Sequence, residues 1–315
     1  MERVLGEETR IIKMNPKISS GLLNSVPLNN MAYENHDDVV AIDAGTGFVK
    51  CVSAHMRASF PSIYGTRKMT RWEDPREGTV EAVGYEAVKM STYPDTVLVR
   101  AVLEGRIVEE KAFVALIREA VRKLGCERDL GLLLVVMGLP YGAAQQKQYL
   151  EKLVERSLKP RRVLVIPQSI GTLLSEDART GMVLSIGQGT TELVLFEDLK
   201  PISGTSIPQA CDYLYEDLAY LEHEKNTADK KRVDALTTIL ANKLAVFKTK
   251  LNKEYDIYVS GGGALVEGLC ESLQSKVQES LRIAKDPAYS NATGLYKLGR
   301  MISSTEGQQG THHQR

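Results

Sequence analysis

The sequence predicts an α/β fold in two domains, and three observations carry that prediction. Runs rich in β-branched residues alternate with helical stretches from Val39 to Ile302, the pattern of a sheet covered by helices. A strand-turn-strand segment, VAIDAGTGFVK at 40–50, is echoed by VLSIGQGTTELV at 183–194, so that each half of the chain opens in the same way. The length of 315 residues suits either two ordinary domains or one large one, which leaves the echo to decide for two.

The elements follow in order. Residues 1–37 are polar and carry no sustained period, so they are expected to form a flexible extension, dispensable for folding; later methionines at Met14 and Met31 leave the true start codon open. VVAID, GFVKCVSA and RASFPSI then form a three-strand meander between Val39 and Ile63. From Lys111 to Leu124, Phe113, Ile117, Ala120, Val121 and Leu124 recur at helical spacing and predict a helix lying on that sheet. LGLLLVVMGLP reads as a buried strand, 143–158 as a helix and RRVLVIP as a strand, giving a parallel βαβ unit. The second half opens with strands MVLSIG and TELVLFED, continues into helices at about 210–221 and 232–250, and ends with strand DIYVSGG and a helix at 293–302. The expected boundaries are an extension at 1–37, a first domain at 38–180, a second at 181–283, a connecting helix at 284–303 returning to the first domain, and a disordered tail at 304–315.

Composition excludes several classes. Forty basic residues balance forty acidic ones, so no field attracts a nucleic-acid backbone directly. The longest apolar run, Leu132 to Leu139, is far short of the roughly 20 residues a membrane helix requires, and the first residues lack a secretory core; a cytoplasmic protein without a membrane span is expected. Four cysteines without CxxC spacing read as reduced core residues, and five histidines show no ligand spacing.

The chemistry is carried by glycines. One Gly-x-Gly turn commonly does no more than permit positive φ at a tight bend. Two copies, one heading each half, fit a phosphate chain gripped from both sides, because backbone N–H groups can approach it without side-chain obstruction. A third element, IYVSGGGALVEGL at 257–269, sets Gly261, Gly262 and Gly263 between a strand and a helix start, where backbone can lie flat against a planar ligand and free N–H groups can face phosphates.

With these motifs the chain resembles the superfamily of actin, the heat-shock chaperones and the sugar kinases, and within it the prokaryotic actin-like proteins of the ParM and MreB kind. The resemblance covers nearly all of 39–302. VVMGLPYGAAQQKQYLEKLVE resembles the strand and helix that follow the first sheet, VLVIPQSIGTLL the first connecting segment, Lys285 to Met301 the second connecting helix of ParM-like proteins, and Val102 to Glu110 a loop of MreB. It implies an actin-like ATPase fold of two RNase H-like domains around a central nucleotide cleft. It also implies ATP or GTP as ligand, with Mg2+ held through water by Asp43. Gly45, Thr46, Gly47 and Lys50 would hold phosphate from the first domain, and Gly187, Gly189, Thr190 and Thr191 from the second; Gly261, Gly262 and Gly263 would hold adenosine, and Gln168 would position the attacking water. Read without the family, Lys50 is equally a solvated strand-edge lysine and Gln168 a loop glutamine bonded to backbone. Where the family has Asp this chain has Ser185, so the second carboxylate at the lytic water is expected to be missing, hydrolysis to be slow, and Ser185→Asp to speed it.

Three function classes share this fold. A sugar kinase needs a catalytic aspartate after VVMGLP, where Tyr141, Gly142 and Ala143 stand instead. A chaperone needs a substrate domain after the last helix, where about a dozen residues follow. A filament former needs only its own surfaces. The expectation is therefore a polymer of this chain serving plasmid or DNA segregation through a DNA-binding adaptor, as the ParM resemblance implies. The alternatives are an MreB-like role in cell shape and a monomeric nucleotide-dependent switch.

Overall fold

The computed structural model describes residues 38–69, 78–215 and 228–311. The extension expected at 1–37 lies outside them. Strands β1 (Val39–Ala44), β2 (Phe48–Val52) and β3 (Arg57–Pro61) form the expected antiparallel meander. Strands β9 (Leu134–Leu139) and β10 (Arg162–Pro167) add to β1 in parallel, giving the order β10-β9-β1-β2-β3. The second half repeats the plan. Strands β11 (Gly181–Ile186), β12 (Thr191–Glu197) and β13 (Lys200–Ile207) run antiparallel, β14 (Ile257–Ser260) and β15 (Leu281–Ile283) add in parallel to β11, and the order is β13-β12-β11-β14-β15.

Between β3 and the first long helix lies a part the sequence did not announce. Strands β4 (Ile63–Met69), β5 (Gly78–Val83) and β6 (Thr96–Arg100) form a separate three-stranded sheet ordered β5-β4-β6, with helix α1 (Tyr85–Met90) beside it. A hairpin of β7 (Val102–Leu103) and β8 (Arg106–Ile107) follows. Its two turn residues, Glu104 and Gly105, both have positive φ, as a two-residue turn matched to strand twist requires.

Helix α2 (Glu110–Lys123) buries the face read from its periodicity, Phe113, Ile117, Ala120 and Val121, and adds Ala112 and Leu116; the Glu109 side chain caps it by accepting from the Ala112 N–H. The helix expected over 143–158 starts as a 3-10 turn (Tyr141–Gln146), kinks at Ala143, and becomes α-helical only in α3 (Lys147–Leu158). The chain then crosses to the second half through α4 (Ile170–Ser175). Near 210–221 the structure has a single 3-10 turn (Cys211–Tyr213), and from 216 the expected helix leaves the described residues. Helix α5 (Lys230–Lys248), capped by Asp229, and α6 (Leu269–Gln274) cover the second sheet, and α7 (Ser290–Thr311) returns to the first. The last helix continues to Thr311, where a disordered tail was expected from 304: no glycine C-cap or proline stops it at Ile302.

Three apolar clusters explain the stacking. Val40, Ile42, Val135 and Met137 face α2 and α3, while Leu184, Ile186, Leu193 and Val259 face α5 and α6. The opposite faces meet in the middle. Val39, Ala41 and Val136 of the first sheet and Val183, Val194 and Phe196 of the second share one core with Leu173 of α4 and Leu295, Leu298 and Ile302 of α7. Both sheets are buried on both sides, which is why their central strands read as continuous apolar runs. At the centre α4 crosses α7 at Gly171 and Gly294, so closely that a Cβ on either would collide with the other helix's backbone.

Candidate functional site

The two halves enclose a cavity of about 360 Å³, within the range of small-ligand sites. The β1-β2 turn forms one wall. It brings Asp43, Gly45, Thr46, Gly47 and Lys50 to the lining, and it is braced by the Gly45 N–H on Phe48 O (3.1 Å) and the Ser62 hydroxyl on Gly45 O (2.6 Å). The β11-β12 turn forms the facing wall with Ser185, Gly187, Gly189 and Thr190, closed by the Gly187 N–H on Thr190 O (2.9 Å). The turns touch: a Cβ on Gly189 would stand 2.9 Å from the Thr46 side chain. This contact needs glycine.

Gly261, Gly262 and Gly263 line the floor, where Gly261 has φ 87° and its N–H bonds Pro287 O at 2.8 Å. The helix expected to start directly after these glycines is a 3-10 turn (Gly262–Leu265); α6 begins only at Leu269. Gly262 has open space where a side chain would go, and Gly263 is pressed against Ile186 and Cys211. Gln168 also lines the cavity. Thirteen of the fourteen residues singled out from the sequence therefore meet at one cavity. Thr191 is the exception: it is fully buried, does not line the cavity, and its hydroxyl donates to Gln209 O at 2.9 Å. The cavity is also lined by Tyr215, Ala228, Leu265, Val266, Glu267 and Asn291, which the sequence did not bring forward.

The electrostatics add a second carboxyl beside Ser185. Asp43, at the end of β1, is paired across the strands with Lys50; burial pushes its carboxyl above the ordinary range, against the pull of the ammonium. In the second sheet the equivalent pair is Ser185 and Glu192. Glu192 is only 1% exposed, and its Oε1 accepts the backbone N–H of Tyr141, from the other domain. Its Oε2 finds no partner among the described residues. Burial pushes this carboxyl up to about 7, opposed by the Tyr141 N–H and the Gln168 side chain and reinforced by the charge of Asp43. The site thus holds two carboxyl groups, not one; the second stands on β12 instead of β11. The signal for it was in the echo, since Lys50 and Glu192 each lie seven residues after the first polar position of their motif.

Contacts across the cleft tie the halves together. The Gly142 N–H donates to Ser206 Oγ (3.1 Å), and Arg100 of the small sheet pairs with Asp212 (3.1 Å), which also receives the Gln188 amide (2.7 Å). Among the described residues no cluster of three or more metal-ligating side chains is gathered, and no helix is long and apolar enough to cross a membrane. All four cysteines are free, and burial raises Cys51 and Cys211 to about 12, so both remain thiols.

Two sheets of one topology, joined by crossing helices with their glycine turns face to face over a cleft, define the actin-like ATPase fold of two RNase H-like domains. No protein-family model and no curated protein matches the chain. Solved structures do. MreB 5 of Spiroplasma citri bound to AMPPNP is 16% identical over 88% of this chain and 100% of its own, with a TM-score of 0.66. The MamK double helical filament is 16% identical over 82% of this chain and 98% of its own, with a TM-score of 0.68. MreB5 of the same organism bound to ADP is 17% identical over 85% and 98%, with a TM-score of 0.65. At this identity the likeness is one of fold.

Proposed function

We propose that the chain binds ATP or GTP in this cavity and polymerises in a nucleotide-dependent way. The observation that carries the reading is the pair of glycine turns, one from each domain, in contact over a cavity that both domains line. A ligand held by both walls favours the closed arrangement by its differential affinity for it. A head-to-tail contact that fits the closed form then propagates as an open filament, because a heterologous interface that does not close into a ring has no natural end. Of the fold neighbours, MamK forms a double helical filament and MreB5 binds AMPPNP and ADP, which supports both parts of the reading.

The residues fit a nucleoside triphosphate. Backbone N–H groups of the 45–47 and 187–190 turns and the Lys50 ammonium would hold phosphates, and the 261–263 turn with Tyr215 and Val266 would hold the nucleoside. Mg2+, held through water by Asp43, would supply charge neutralisation at the phosphates. Gln168 would orient an attacking water by hydrogen bonding, and Glu192, with a free lone pair on Oε2 and a pKa of about 7, would accept its proton. Hydrolysis therefore does not depend on a carboxylate at position 185.

Of the cellular roles, segregation through a DNA-binding adaptor rests on the resemblance of 285–301 to ParM-like proteins, and an envelope role on the fold likeness to MreB5. Both use the same polymer, and the protein's interaction partners in cells separate them. The binding step is tested by calorimetric titration with Mg-AMPPNP. The wild type is expected to bind, and Gly262→Val to lose about a hundredfold or more in affinity, because its side chain enters open cavity space. Equal affinity in the variant would remove the 261–263 turn from the site.

A further inference from the structure

Asn291, in the first turn of α7, is 6% exposed and lines the cavity. Its Oδ1 accepts the Thr172 hydroxyl of α4 at 2.8 Å, and that hydroxyl also lies 2.8 Å from Ser260 Oγ at the end of β14. The Asn291 Nδ2 has no hydrogen-bond partner among the described residues. With Oδ1 turned to Thr172, the group that Asn291 offers the cavity is an N–H donor pair, open to the cavity and not sealed inside protein. It stands on the Gln168 side of the cavity: Asn291 packs on Gly171, three residues beyond Gln168, the residue read above as orienting the attacking water.

We propose that Asn291 is a nucleotide-binding residue that donates Nδ2 to a phosphate oxygen, and that its bond to Thr172 couples the bound nucleotide to the crossing of α4 and α7. This inference rests on the nucleotide reading above. It adds a contact from the long helix that runs from the cavity back to the first domain, so one amide would touch the ligand and both connecting helices, and reach the second sheet through the Thr172 hydroxyl. The two helices cross without room to slide at Gly171 and Gly294, so a shift of Asn291 is transmitted as a change of crossing geometry.

Asn291→Asp keeps the acceptor for Thr172 and loses the donor, and Asn291→Ala loses both; melting without nucleotide establishes that each is folded. Titration with Mg-ADP and Mg-AMPPNP should show affinity reduced roughly ten- to a hundredfold in both variants, with adenosine affinity within about twofold of the wild type. Thr172→Val should bind Mg-AMPPNP within about threefold of the wild type, yet show less of the nucleotide-induced compaction seen by solution X-ray scattering. Unchanged Mg-ADP and Mg-AMPPNP affinity in Asn291→Asp overturns the inference while leaving the nucleotide site standing. Full compaction of Thr172→Val overturns the coupling. A wild type that binds no nucleotide overturns the site and this inference with it.

Discussion

The first and second sheets share one strand order and one strand-turn-strand motif, yet place different charges at matching positions. In the first, Asp43 faces Lys50 across the hairpin; in the second, Ser185 faces Glu192. The difference divides labour across the cleft. The first hairpin carries a carboxyl and an ammonium at cross-strand positions, a set suited to a polyanion with its cation. The second carries a neutral hydroxyl and a carboxyl of raised pKa, suited to a water. A duplicated backbone thus fixes where functional groups stand, and on the proposed reading the residue seven places along each motif would set which chemistry each wall performs.

That comparison is sharpened most by substituting the two carboxyl groups separately. Glu192→Gln should reduce phosphate release by about a hundredfold to a thousandfold while leaving Mg-AMPPNP affinity within a few-fold, as loss of one preorganised catalytic group does. Asp43→Ala should instead weaken Mg-AMPPNP binding about tenfold or more. If both variants change the same quantity, the division of labour is wrong.

A second expectation concerns pH. The Glu192 carboxyl is at about 7 in the folded protein against 4.5 as the ordinary value, so the folded state holds its proton more tightly. Its contribution to stability is fully present below pH 4.5 and is lost as pH rises through about 7. The change amounts to about 3 kcal/mol. Denaturant titration of the nucleotide-free protein should show that decline, and Glu192→Gln should flatten it. A decline of the same size in the variant would place its cause elsewhere.

The smallest effect is expected at position 185. A second acid there would face Glu192 directly across the strands, where like charges repel. Ser185→Asp should leave phosphate release within about fivefold and lower the melting temperature by a few degrees. A hundredfold acceleration would restore the view that Ser185 is a catalytic vacancy.

Much of this was legible in the chain. Strands β1, β2, β11 and β12 and the buried face of α2 follow from period and turn chemistry, and the glycine turns brought all but one of the expected residues to the cavity. What was missed has physical causes. Strand β13 contains Pro201, Ser203 and Gly204 and reads as loop, but it lies at a sheet edge, where such residues are tolerated. Strand β15 has three residues, too few for a period. Thr191 sits one place past the turn, where strand alternation turns its side chain to Gln209. Glu192 stands at the head of the apolar run LVLF, just past the echoed turn, and it meets Ser185 only once the strands are in register. Asn291 had no motif to mark it either; the packing of α7 against α4 is what brings its amide to the cavity.

The central claim is that nucleotide binding between the two domains drives assembly, and sedimentation tests it most directly. Purified protein at micromolar concentration should pellet and scatter light with Mg-ATP or Mg-AMPPNP and much less with ADP or without nucleotide, and Gly262→Val should remain in the supernatant throughout. Protein that binds Mg-AMPPNP yet sediments as a monomer across salt and concentration would contradict the account and make the chain a monomeric nucleotide-dependent switch.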